Sequence, residues 1–138
     1  MKKYFYSIIF VVLLAIDQIF KAIIVNTNPN IDLKLLAIRF VQNTGATFGI
    51  LQNFNSLFIW ISLIAIGLLM MNYDHFPKKS NFFLMIIIVG IIGNLIDRIF
   101  RSYVVDFIDF KIWPVFNFAD MFITVGVIGV IYYLWSEK

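Results

Sequence analysis

The spacing of its apolar runs constrains this chain more than anything else in it. Residues 4–24, 57–71, 82–96 and 119–135 carry few charges, and each approaches the 20 or so residues that a membrane-crossing helix needs once its flanks are counted. Four spans with short connections use up 138 residues and leave no room for a separate soluble domain, so residues 1–138 read as one membrane domain. A hydrophobic content of 62% and a mean hydropathy of +0.91 agree, since a soluble domain of this size does not tolerate so apolar a surface. The chain needs lipid as its solvent. Its start, Met1-Lys2-Lys3 with an apolar run to Ile16, imitates a secretory signal, but no small-x-small site precedes Asp17. An uncleaved first span is expected.

Charge then orients the spans. The excess of 11 Lys plus Arg over 8 Asp plus Glu would hint at nucleic acid in a soluble protein. Here Lys2, Lys3, Lys78, Lys79 and Lys138 fall at the two termini and the second connection, which four spans put on one side. By the positive-inside rule that side is the cytoplasm, and the cations have a topological meaning with no nucleic-acid partner. The connections 25–55 and 100–118 then face outward. In the first of them Ile31-Asp32-Leu33-Lys34-Leu35 alternates as a half-buried strand does. The expected fold is an all-α integral membrane protein of four transmembrane helices, with a small extracytoplasmic β-element between helices 1 and 2.

Against this background five charged residues are costly. Asp17, Lys21, Asp97, Arg98 and Asp120 lie within or at the ends of spans, where a charge at mid-membrane costs about 2.5 to 3.5 kcal/mol on insertion scales. Asp17 and Lys21 can pair at i, i+4, but such a pair returns only about 0.2 to 0.5 kcal/mol. All five occupy outward-facing halves. The outer segments 43–49 and 104–120, with Asp106, Asp109 and Asn117, feed the same face, and a one-sided polar focus in a membrane domain reads as a functional site.

The residue types limit its chemistry. With no cysteine there are no thiolate nucleophiles, disulfides or sulfur metal sites. The single histidine, His75, lies in the cytoplasmic connection, which removes a serine-histidine-aspartate triad and histidine-based metal catalysis. Two carboxylates brought together can share a proton, one activating water while the other donates to a leaving group. That is the logic of an aspartic peptidase, and Asp106 with Asp120 is the best pair, because the connector between them can fold back. Carboxylates alone could still hold Mg²⁺ or Ca²⁺, but such a pair of acids needs no cofactor or metal.

At this point the chain resembles the lipoprotein signal peptidases (signal peptidase II), small four-span bacterial aspartic peptidases. The resemblance rests on Ile16-Asp17-Gln18-Ile19-Phe20-Lys21, residues 43–49, Gly93-Asn94-Leu95-Ile96-Asp97-Arg98, Val105-Asp106-Phe107 and Trp113-Pro114-Val115-Phe116-Asn117-Phe118-Ala119-Asp120, in that order. Any one of these alone is weak; together they are specific. The resemblance implies a catalytic dyad of Asp106 and Asp120, and a prolipoprotein substrate cut just before a diacylglyceryl-modified cysteine. It implies Asn43, Gly45, Asn94, Arg98 and Asn117 around the bound peptide, with Asp17, Lys21 and Asp97 as supporting polar contacts. It also implies a monomer in the bacterial cytoplasmic (inner) membrane, with both termini cytoplasmic and the site at the outer face, in contact with membrane lipid and open to cyclic peptide inhibitors of the globomycin type. Departures from the family pattern are Thr47, where an alanine is expected, and Val89 before Gly90, where a second glycine is; both bear on pocket shape.

Blander readings stand beside these. Asp17 with Lys21 can be an intramembrane structural pair, Asn117 the N-cap of span four with Asp120 complementing its dipole, and Asp97 with Arg98 an interfacial ion pair. Asp109 reads as a solvated loop carboxylate, Trp60, Trp113 and Trp135 as interfacial anchors, and Gly126 and Gly129 as positions of close helix packing. The segment 43–49 is a candidate flap. Two rival functions remain: a small ion or proton transporter, which would carry polar residues through the whole depth, and a non-enzymatic membrane adaptor.

Overall fold

The computed structural model describes residues 2–45 and 54–137. Its four apolar runs form α1 (Lys2–Thr27), α2 (Asn55–Met71), α3 (Asn81–Arg101) and α4 (Phe118–Ser136). Tyr4–Thr27, Lys78–Arg101 and Phe118–Ser136 are long and apolar enough to cross a membrane. The second helix has 17 residues and so spans about 25 Å against a hydrocarbon core of about 30 Å. On length alone, three helices therefore meet the expectation of four spans. All four helices turn apolar side chains outward, among them Ile8, Ile64, Phe100 and Ile128, an exterior that only lipid solvates.

α3 is the central helix and packs most extensively on α4. Small residues permit this closeness. A Cβ on Gly90 would stand 2.4 Å from the Ala119 carbonyl oxygen, one on Gly126 would stand 2.5 Å from Ile87 Cγ1, and one on Gly129 would stand 2.1 Å from Phe83 Cδ1. Leu84, Ile87 and Val130 form the apolar core at this end, with Phe83 and Phe76 against them.

The polar connections form one three-stranded antiparallel sheet in the order β1 (Asn30–Asp32), β2 (Ala37–Asn43), β3 (Val104–Asp109). Two expectations are corrected here. The alternation at residues 31–35 is a strand only at its start: β1 ends at Asp32, whose Oδ1 accepts from the Lys34 amide at 3.0 Å while Lys34 takes φ 69°. A carboxylate that bonds its own backbone two residues on favours a turn over a ladder. The β-element is also not confined to the first connection, because β3 comes from the segment after α3 and pairs Asp106 with Val41 and Val104 with Asn43. Left-handed Ser102, at φ 65°, ends α3 and turns the chain into β3. Most of β3 is buried, and Val105 and Phe107 join Ile24 of α1 in a second core.

Asp109 requires a third correction. It is 6% exposed, accepts from Arg39 Nε at 2.9 Å, and caps the turn at Lys111 by accepting from its amide at 2.7 Å. A loop position did not betray this because its partner lies on a neighbouring strand.

The α3 to α4 contact gives a paired test. Gly90→Ala should lower stability by about 1 to 3 kcal/mol, since the new methyl meets backbone that cannot swing away. Gly67→Ala, where a Cβ would meet nothing within 4 Å, should leave stability unchanged or raise it slightly. Thermal unfolding in detergent reads both.

Candidate active site

The buried polar residues fall into two adjoining layers. The inner one is built around Lys21, whose ammonium is fully buried and donates to Asp17 Oδ2 at 2.9 Å, Asp97 Oδ2 at 3.0 Å and Asn94 Oδ1 at 3.0 Å. All three of its protons are therefore used. Asp17 Oδ1 accepts from the Ala119 amide in the first turn of α4 at 3.0 Å, and Gln18 Nε2 donates to Asp17 Oδ2 and to the Gly93 carbonyl. Asp97 accepts from the Val105 amide of β3 at 3.1 Å and from Arg101, one helical turn along α3. Three helices and the sheet are thus tied to one cation.

The blander reading of Asp97 and Arg98 as an ion pair with each other is not what forms, because consecutive residues on a helix face different directions. Asp97 turns inward to Lys21 and Arg101, whereas Arg98 lies over the Phe58 ring of α2, 5.2 Å from its centroid, and donates to the Gly45 carbonyl at 3.4 Å. Arg98 Nε is buried with no hydrogen-bond partner among the described residues.

The outer layer holds Asp106 and Asp120. Asn117 joins them. It is the N-cap of α4, with its Oδ1 accepting from the Asp120 amide at 3.0 Å and its own amide donating to Asp120 Oδ2 at 3.2 Å, a reciprocal capping box. Its Nδ2 donates at the same time to Asp106 Oδ1 at 2.6 Å and Asn94 Oδ1 at 3.1 Å. Asn94 Nδ2 donates to Asp120 Oδ1 at 2.8 Å, and Asn43 Nδ2, at the end of β2, to Asp106 Oδ2 at 2.9 Å. The bland and the sharp readings of Asn117 thus describe one residue: the cap is also what couples the two acids.

Together the three asparagines orient both carboxylates toward a cavity of about 210 Å³ lined by Asn43, Gly45, Phe58, Asn94, Arg98, Val104, Asp106 and Asp120. Burial raises the Asp106 pKa from 3.8 to about 7, helped by the like charge of Asp120 and opposed by the hydrogen bonds from Asn43 and Asn117. Near neutral pH this pair can hold one proton between two carboxyl groups.

All ten residues singled out in the sequence meet in these two layers. The remainder of the candidate flap, residues 46–49 with Thr47, lies outside the described residues. Three contributors were not foreseen: Gln18, Phe58 and Arg101. Arg101 had a readable signal, since it stands four residues after Asp97 on the same helix face; Gln18 stands in the first motif beside Asp17 but was given no role, and Phe58 had no signal.

Comparison with known proteins adds an independent view. Residues 9–136 match the family model described as Signal peptidase (SPase) II. Proteins named lipoprotein signal peptidase are similar to this chain: that of Halothermothrix orenii is 39% identical over 140 residues, covering 96% of both chains. That of Caldicellulosiruptor bescii is 41% identical over 139 residues, covering 96% of this chain and 91% of its own. Two solved structures described as bacterial membrane enzymes share the fold. One gives a TM-score of 0.87 at 30% identity, covering 96% of this chain and 88% of that one; the other gives 0.80 at 32%, covering 96% and 94%.

Two measurements probe the layers. Lys21→Met leaves Asp17 and Asp97 buried beside the cation they have lost and should cost about 3 to 5 kcal/mol of stability. Lys111→Met, which removes an exposed pair with Asp32, should cost under about 1 kcal/mol. For Asp106 the sign follows from its raised pKa: between about pH 4 and 7 the folded chain keeps a proton that the unfolded chain has released, so stability falls as pH rises through this window and levels off above it. Thermal unfolding against pH should show that decline, on the order of 4 kcal/mol in full, and Asp106→Asn should flatten it.

Proposed function

Since the chain belongs to the signal peptidase II family, we propose that it removes the signal peptide from diacylglyceryl-modified prolipoproteins, cleaving just before the lipidated cysteine, with Asp106 and Asp120 as an aspartic dyad. The observation that carries this reading is Asn117, which caps α4 through the Asp120 amide and donates to Asp106, and so holds both acids at one cavity. No group outside the chain is required: a water between the carboxyl groups supplies the nucleophile.

In the proposed reaction the ionised carboxylate takes a proton from that water, whose oxygen bonds to the scissile carbonyl carbon. The protonated partner gives its proton to the carbonyl oxygen, which spreads the developing charge. The tetrahedral intermediate then collapses: the C–N bond breaks, the proton taken from water passes to the departing amine, one hydroxyl of the gem-diol returns a proton to the other carboxylate, and the new carboxyl group leaves with the signal peptide. One proton is held by the pair at the start and at the end. Asn43, Gly45, Asn94, Arg98 and Asn117 bind the peptide backbone in this scheme, supported by the unpartnered Arg98 Nε beside the cavity. Asp17, Lys21 and Asp97 support them through Asn94 and the amides of Ala119 and Val105.

The same reading makes all four helices spans of a bacterial cytoplasmic membrane, with the termini and the Lys78-Lys79 connection inside and the dyad at the outer face, acting as a monomer. A substrate anchored by its own lipid then arrives already restricted to the depth of the acids, which converts much of the search into an intramolecular encounter. A cyclic peptide of the globomycin type would compete for the same cavity.

Asp106→Asn and Asp120→Asn should each fold and should lower kcat/KM for a synthetic diacylglyceryl lipopeptide by about 10² to 10⁴, the usual contribution of a positioned acid or base. Activity of the unaltered chain should decline as pH rises past about 7, where Asp106 gives up its proton. Undiminished cleavage by both variants overturns the dyad.

A further inference from the structure

Asp120 is a wall of two different cavities. On one side is the polar cavity of about 210 Å³ shared with Asp106, Asn43 and Arg98. On the other is a cavity of about 410 Å³ lined by Trp113, Thr124 and Val125 together with Phe110, Phe116 and Met121. Those last three also wall a third cavity of about 490 Å³, which runs between α1 and the sheet past Phe20, Ile23, Ile31 and Phe107. Beyond Asp120, no ionisable side chain lines either of these two apolar cavities. Several of their lining residues, Phe20, Ile23, Met121 and Val125, belong to the exposed apolar surface of α1 and α4, so both are continuous with the lipid-facing exterior.

We infer that the two apolar cavities hold the two acyl chains of the substrate's diacylglyceryl group, one on either side of the wall made by Phe110, Phe116 and Met121. The inference rests on the reading of the chain as a peptidase for lipidated prolipoproteins and adds where the lipid sits. If the scissile bond directly precedes the lipidated cysteine, the hydrocarbon has to start within a few bonds of the dyad. The cavity of about 410 Å³ has Asp120 in its wall, and the cavity of about 490 Å³ adjoins it through Phe110, Phe116 and Met121. Two chains leaving one glycerol need two apolar paths diverging from a common point, and the shared wall provides the divergence.

Charge favours the substrate over a membrane phospholipid as the occupant. A phosphate at the branching point would face the Asp120 carboxylate, while Arg98 lines the opposite, polar cavity. The uncharged thioether-linked glycerol meets no such repulsion. Burying its hydrocarbon in the cavities also contributes binding shared by ground and transition states, which lowers KM and leaves kcat alone.

The test uses the full chain in detergent and one peptide sequence carrying two, one or no acyl chains. Ile23→Trp fills the larger cavity and Val125→Trp the smaller, and neither residue lines the polar cavity that holds Asp106. For the unaltered chain KM should be about tenfold lower with two acyl chains than with one; each variant should erase most of that difference with kcat within about twofold. A two-chain to one-chain KM ratio unchanged by both variants, with cleavage retained, overturns the inference alone. Failure of the unaltered chain to cleave any lipopeptide overturns the peptidase reading and the inference together. A second measurement is independent of variant folding: a lipopeptide with photoreactive chain ends should label α1 or the sheet and α4 in the unaltered chain, and labelling confined to α2 overturns the proposal.

Discussion

A single ammonium group, that of Lys21, holds the rest of the structure in register. Burying a lone charge is prohibitively costly, so the position exists only because Asp17, Asp97 and Asn94 converge on it at hydrogen-bond distance. Each partner then reaches further: Asp17 to the start of α4 through the Ala119 amide, Asp97 to the start of β3 through the Val105 amide, Asn94 to Asp120. The two backbone segments carrying the candidate acids are thereby fixed from below. Asp17 and Asp97 balance Lys21 and Arg101, so the layer is neutral as a whole and sits inside an apolar bundle without net charge.

Above that layer, three asparagines perform a task that charged residues could not. An amide offers a donor and an acceptor without a charge of its own, so Asn43, Asn94 and Asn117 orient two carboxylates without neutralising them. Burial can therefore raise the Asp106 pKa to about 7 while the hydrogen bonds moderate the rise. Close packing of α3 on α4 through Gly90 and Gly126 is what brings Asn94 within reach of Asp120 and Asn117.

The sheet and the helices beside it present surfaces of different polarity. β3 is covered, and polar pairs tie it and the turn after it to the rest of the sheet: Asp109 of β3 to Arg39 of β2, and Lys111 to Asp32 of β1. Beside this sheet, the exposed apolar surfaces of α1 and α4 run into two adjoining cavities, one of which has Asp120 in its wall. Polar and apolar routes thus meet at one carboxylate, a geometry suited to a substrate that is part peptide and part lipid.

Much of this was written in the sequence, because local hydrophobicity and charge cost act residue by residue. The apolar runs of α1 to α4, the one-sided gathering of Asp17, Lys21, Asp97, Arg98, Asp106 and Asp120, and the capping role of Asn117 need no knowledge of distant contacts. What the chain's order could not disclose depends on pairings between remote segments. β3 was read as a loop because its partner, β2, lies some 60 residues earlier, and Asp109 as solvated because Arg39 is equally far away. The choice of Lys21 and Arg101, over neighbouring Arg98, as partners of Asp97 was decided by helix rotation and packing. Periodicity sets which residues want burial; only the folded arrangement determines against what.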